Sequence, residues 1–177
     1  MTLGNRLWQG AALVVGTLVA GSALAVNLNP TTEPRLGPNH LIVFAFDKPV
    51  TTGVATVSEG VATLGAVSVD PLNANALLVP LTGVTDLQCV TVDLSGVVAV
   101  DGGTGGVGSV RVGFMAGDVT QNRKVQGTDL LAVSGQFLQP VTAANYLEDV
   151  NVDGFVKGTD LLATSARFLN VMPAGCP

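Results

Sequence analysis

The stretch EDVNVDGFVKGTDLL sets oxygen-bearing side chains at every second residue, Asp149, Asn151 and Asp153, then brings in Asp160 from the start of a helical pattern. A hard divalent cation such as calcium needs about six to eight oxygens converging on one point. A short segment supplies them only when donors recur around a tight turn. With Asp149 as position one, the donors fall at one, three, five and twelve. Gly154 at six suits the sharp bend, which calls for a positive φ. Phe155 offers its backbone carbonyl at seven, and Lys157 at nine could contribute only through a water. Three carboxylates would then face one ion. The metal-free alternative is an Asx-rich turn followed by a capped helix.

A second series begins 31 residues earlier. Asp118, Thr120 and Asn122 hold positions one, three and five, the carbonyl of Lys124 falls at seven, and Asp129 closes at twelve. Arg123 replaces the glycine, which leaves two carboxylates beside two cationic side chains. Ligand charge tunes affinity in such loops. The first loop is therefore expected either to bind calcium poorly or to fold around its own hydrogen bonds.

Each loop leads into an amphipathic segment, TDLLAVSGQFL or TDLLATSARFL. Leu130/Phe137, Leu131/Leu138, Leu161/Phe168 and Leu162/Leu169 are i,i+7 pairs at helical spacing. The shared TDLLA and the Phe-Leu endings mark an internal duplication that fills the C-terminal third.

These residues resemble the dockerin type I family, which has two repeats of D-x-N-x-D-G-x-V-x-x-x-D-L, each a calcium loop plus one helix. The second copy matches at Asp149, Asn151, Asp153, Gly154, Val156, Asp160 and Leu161; the first matches at Asp118, Val125, Asp129 and Leu130, with Asn122 in place of an Asp. The resemblance covers Gly117 to about Leu169. It implies calcium as cofactor and a cohesin module as partner. It also implies that positions ten and eleven, Gly127-Thr128 and Gly158-Thr159, face that partner with the helices behind them. The family usually carries Ser or Thr at both positions, so the glycines depart from it. Such domains anchor polysaccharide-degrading enzymes to scaffolds, whereas this chain has no room for a catalytic domain. The near two-fold sameness of the copies implies a surface readable in either of two orientations.

Upstream, the texture changes to short apolar runs broken by Gly, Asn, Asp and Pro. HLIVFAFD, GVATVS, LGAVSVD, NALLVPL, CVTVDL, GVVAV and SVRVGF are seven candidate strands without intervening helices. That pattern predicts a β-sandwich over 40–115, immunoglobulin-like but lacking the Cys-Trp-Cys signature of antibody domains. In the first run both faces are apolar, as in a central strand. Residues 26–39 read as a leader or edge strand. The Ig-like-plus-dockerin order resembles the ends of exported bacterial proteins. At the start, Arg6, an apolar run and the small residues Ala23 and Ala25 predict a signal peptide over 1–25, cut at Ala25–Val26, with a membrane anchor as the alternative. The mature protein would be secreted or held at the cell surface, with no membrane association. Cys89 and Cys176 could then form one disulfide or remain two separate thiols.

The net charge of -5 offers no basic surface for nucleic acid. GGTGGVGSV carries a G-x-G-x-x-G spacing, but a strand pattern follows it where a dinucleotide fold needs a helix, so it reads as a glycine hairpin. One histidine, His40, leaves no basis for a nucleophilic triad or a zinc site. The acids of the β-region, Glu33 and Asp70 among them, fall at strand ends and turns and read as solvated. The expected molecule is a non-catalytic β-sandwich followed by a small all-α domain, 116–177, with repeats at 118–138 and 149–169. Its expected task is calcium-dependent docking on a protein. The alternative is a calcium-stiffened surface or adhesion module with no cohesin partner. The two differ in whether Leu131, Leu138, Leu162 and Leu169 cover the sandwich or stay open beside Thr128 and Thr159.

Overall fold

A computed structural model describes residues 11–19, 22–26, 32–37 and 39–176. Arg6, Trp8 and the rest of the charged start of the expected signal lie outside the described residues, as do 27–31. The backbone of β1 (Ala11–Val19) and β2 (Ser22–Val26) forms an antiparallel pair, and β1 runs parallel to β4 (Asn39–Ala45).

The first sheet has the order β2-β1-β4-β8-β6, with β8 (Asn73–Thr82) also pairing β7 (Ser68–Asp70). Its edge strand β6 covers only Thr63–Leu64, so the run LGAVSVD splits into two short strands rather than one. The second sheet has the order β3-β10-β9-β5, from β3 (Thr32–Glu33), β10 (Gly106–Phe114), β9 (Gln88–Ala99) and β5 (Val50–Glu59). Alternation explains the core between them. Ile42, Phe44 and Phe46 from one sheet meet Val90, Val92, Leu94, Val110, Val112 and Phe114 from the other in one buried cluster.

CVTVDL and GVVAV, expected as two strands, are the single strand β9. Gly96, the first residue of the second run, sits at φ +59°, and the inward set passes from Val90, Val92 and Leu94 to Val97 and Ala99. One bulge residue shifts the alternation by one and bends the strand without ending it. GGTGGVGSV is the β9–β10 connection and the start of β10, an antiparallel pair.

The C-terminal third holds two short helices, α1 (Gly127–Gly135) and α2 (Gly158–Ser165). Both stop before the Phe-Leu pair that the periodicity had included. The chain turns through Leu138 and Leu169, at φ +63° and +70°. Each turn then pairs with the loop of the other copy: the Leu138 amide donates to the Val156 carbonyl at 2.7 Å, and the Leu169 amide to the Val125 carbonyl at 2.8 Å. Val119, Val133, Val150 and Val156 form the small core beneath. A further cluster of Cys89, Met115, Val125, Met172 and Cys176 joins this region to the sandwich. There Cys89 and Cys176 are bonded, with Cα atoms 5.6 Å apart.

Candidate functional site

The two candidate loops share one backbone. Gln121 and Val152 at position four have φ +57° and +61°, and Arg123 and Gly154 at position six have φ +73° and +90°. In each, the carboxylate at position one accepts the amides of positions five and six. Asp118 takes Asn122 and Arg123 at 2.9 and 2.8 Å; Asp149 takes Asp153 and Gly154, both at 3.0 Å. The carboxylate at twelve accepts the amides of three and nine. Asp129 takes Thr120 and Gln126, both at 2.9 Å; Asp160 takes Asn151 and Lys157 at 3.0 and 2.8 Å. Because Asp129 and Asp160 lie in the first helical turn, the same oxygens cap α1 and α2 and tie each loop to its helix.

Asp118, Asp129, Asp149 and Asp160 are all buried. Burial holds the Asp149 carboxyl above its ordinary value; the Gly154 and Asp153 amides oppose that, and the neighbouring charges of Asp160 and Asp153 add to it. Burial likewise raises Asp118, against its hydrogen bond from Thr32. Two or three carboxylates turned toward one another in low dielectric are a charge arrangement that a divalent cation relieves. Among the described residues no three His, Cys, Asp or Glu side chains are gathered closely enough to hold a metal by themselves. A site here would have to use amide and carbonyl oxygens as well.

The second loop has such a set. Each oxygen of Asp149 and Asp160 carries a single amide hydrogen bond, which leaves a lone pair free. Asn151 donates to Asp153 at 3.2 Å and to the Thr159 hydroxyl at 2.8 Å, which holds its carbonyl end in the loop. The Phe155 ring is exposed and lies 4.8 Å under the Lys157 ammonium, which also reaches Asp153 at 3.3 Å. The donors fit calcium once that lysine swings aside. In the first loop the Thr120 hydroxyl donates to Asp129 at 2.8 Å, which turns the position-three oxygen inward and makes the fit poorer. The position-five oxygens are engaged alike in both loops, Asn122 accepting the Lys124 amide at 3.0 Å and Asp153 the Phe155 amide at 3.1 Å.

Residues that sequence reasoning missed surround this region. Glu33, expected to be solvated, is buried and accepts the Arg35 amide at 3.1 Å and its guanidinium at 2.6 and 2.8 Å. The Arg35 guanidinium lies 5.1 Å over the Tyr146 ring. Asp70 is buried too. Nothing in PTTEPRLGP marks these contacts: the segment has no periodicity, and Tyr146, on which Arg35 lies, is far along the chain. His40 is buried edge-on against Phe114, with ring centres 4.7 Å apart, and is part of the core wall.

Outside the loops, the helices and the turns that follow them expose apolar side chains. Leu131, Leu138, Leu162 and Leu169 are 72, 69, 68 and 74% exposed. Between the two helices an open groove of ≈ 490 Å³ is lined by Leu130, Ser134, Gly158, Leu161, Leu162 and Ser165. Gly127, Thr128, Gly158 and Thr159 lie exposed at the helix starts. A Cβ added at Gly127 or Gly158 would meet nothing within 4 Å, so the fold itself does not require glycine there.

Residues 116–169 match the family model of the dockerin type I domain. That span contains both loops, both helices and the four exposed leucines. No curated protein and no solved structure matches the chain. Among the described residues, no helix is long and apolar enough to cross a membrane.

Proposed function

We propose that this chain is a non-catalytic, exported module that docks through its dockerin type I region onto a cohesin-type protein partner, in a calcium-dependent way. The observation that carries this reading is the paired leucine face. Leu131 and Leu138 in one copy, and Leu162 and Leu169 in the other, stay open to solvent beside Thr128 and Thr159, although the repeat packs on the sandwich through other residues. An apolar face on a small domain costs solubility unless a partner covers it.

Asp149, Asn151, Asp153, Asp160 and the Phe155 carbonyl are the residues that would hold the ion. Bound calcium would supply the positive charge that the buried carboxylates lack. Asp160 belongs to both the loop and the first turn of α2, so fixing the loop fixes the helix and the angle of its leucines. The sandwich we read as immunoglobulin-like, and export as following from a signal peptide over 1–25; cleavage at Ala25–Val26 would remove β1 and all of β2 but Val26, and leave β4 as an edge of the first sheet. The link to polysaccharide breakdown rests on the resemblance alone.

The test is a binding titration of the protein against a panel of cohesin modules, in calcium and in EDTA. Binding in calcium only is expected, with a double Leu131→Asp/Leu162→Asp variant losing at least 2 kcal/mol while its melting temperature holds. No binding to any cohesin would favour a second reading, a calcium-stiffened surface module. The contacts that fasten the repeat to the sandwich favour that reading.

A further inference from the structure

The carboxylates at positions one and twelve bring four oxygens to each loop, and a carboxylate oxygen offers two lone pairs. In the second loop each of the four carries one hydrogen bond. In the first loop two of the four are filled. Asp118 Oδ2 accepts the Arg123 amide and also the hydroxyl of Thr32, and Asp129 Oδ1 accepts both the amide and the hydroxyl of Thr120. Thr32 is not part of the repeat at all. It belongs to β3, the edge strand of the second sheet, 86 residues away in sequence.

We propose that the first loop is a metal-free clasp. The Thr32 hydroxyl takes the place that a cation would fill at Asp118, so the protein binds one calcium ion rather than two. The clasp's task is to fasten the sandwich to the docking region.

The neighbouring contacts have that form. The Gln121 side chain donates to the Thr32 carbonyl at 2.9 Å, and the Gly117 amide to the Pro34 carbonyl at 2.9 Å. Two residues on, the Leu36 amide donates to the Val150 carbonyl, inside the second loop, at 2.6 Å. Residues 32–36 are thus a strap held by both loops. Thr32 and Asp118 are 1% and 0% exposed, so their hydrogen bond is sealed from water. Such a bond to a charged acceptor is strong, and a lost partner leaves a buried carboxylate short of a donor. Arg123 and Lys124 flank this loop with positive charge, which a fixed hydroxyl tolerates and a divalent ion does not.

This inference rests on the calcium reading of the second loop, and the experiment separates the two. Metal analysis and calorimetry on the full chain should find one calcium per molecule, lost in Asp149→Ala and kept in Asp118→Asn. Thr32→Val should keep that stoichiometry and affinity. It should also lower Tm by roughly 3–6 °C, equally in calcium and in EDTA. Two ions per chain, or a single ion lost in Asp118→Asn, would overturn the clasp but leave the calcium reading standing. So would an unchanged Tm in Thr32→Val, or a tenfold loss of calcium affinity in that variant. No calcium binding at all would overturn both. Should Asp118→Asn fail to fold, the wild-type stoichiometry and Thr32→Val still decide.

Discussion

Asp149 is pulled two ways. Burial and the neighbouring charges of Asp160 and Asp153 favour its proton, while the two amide donors of the loop favour the carboxylate. A folded-state value above the ordinary one means that the folded protein binds this proton more tightly than the unfolded chain does. Without metal, the stabilising effect of that proton is complete below about pH 4 and is lost as the pH rises through the raised value. Calcium competes for the same oxygens, so its affinity should fall as the pH drops through that range. Calorimetry at a series of pH values checks this, and Asp149→Ala should abolish binding in the second loop at every pH. Arg123 makes a separate point, because it holds φ +73° where the second copy has glycine at +90°. Arg123→Gly should stabilise the protein by about 1 kcal/mol, read from denaturant midpoints. The residue types at the loop positions were legible in the sequence because spacing alone sets them. The Thr32 contact was not, because its partner Asp118 lies 86 residues away, and the Glu33–Arg35 pair was not, because a short polar segment has no periodicity to mark it as buried.

Among the elements, the duplication reaches further than the shared letters suggest. The left-handed residues at 121, 123, 138, 152, 154 and 169 repeat at the same offset, and the two cross-pairings between turn and loop are reciprocal. The helices end early because a left-handed turn lets Leu138 and Leu169 donate to the opposite loop. Periodicity counted those residues as helical since it sees apolar spacing and not hydrogen-bond partners. The bulge at Gly96 hid in the same way: a glycine at the start of a second alternating run reads as a break between strands. Gly117 is the hinge between β10 and the first loop. Its φ is +87°, and a Cβ there would stand 3.1 Å from the Thr164 Cα in α2. Gly117→Ala should therefore cost about 2 kcal/mol or more, because it combines a disfavoured φ with a backbone contact that has no flexible end to yield. A chemical denaturation curve gives that number directly.

At the scale of the molecule, three kinds of tie join the two regions: the strap, the Met115–Val125–Met172 cluster and the Cys89–Cys176 bond. The Arg167–Asp86 ion pair at 3.0 Å adds to them at the surface. The disulfide closes a separation of 87 residues. Its removal in Cys89→Ser/Cys176→Ser should cost about 2–4 kcal/mol, seen as a lower denaturant midpoint. Adding reductant to the native protein should reproduce that shift. Helix and strand content would change little, because neither sheet is built on the bond.

The strap also fixes an order of events. Thr32 is among the earliest of the described residues to leave the ribosome, yet its hydrogen-bond acceptor is Asp118, and that of Leu36 is Val150. Edge strand β3 can pair with β10 only after residue 114 is available, and the clasp can close only later. Contacts of such long sequence separation slow folding relative to local ones. The strap is therefore among the last parts of the molecule to close, and it waits for acceptors made long after its own residues.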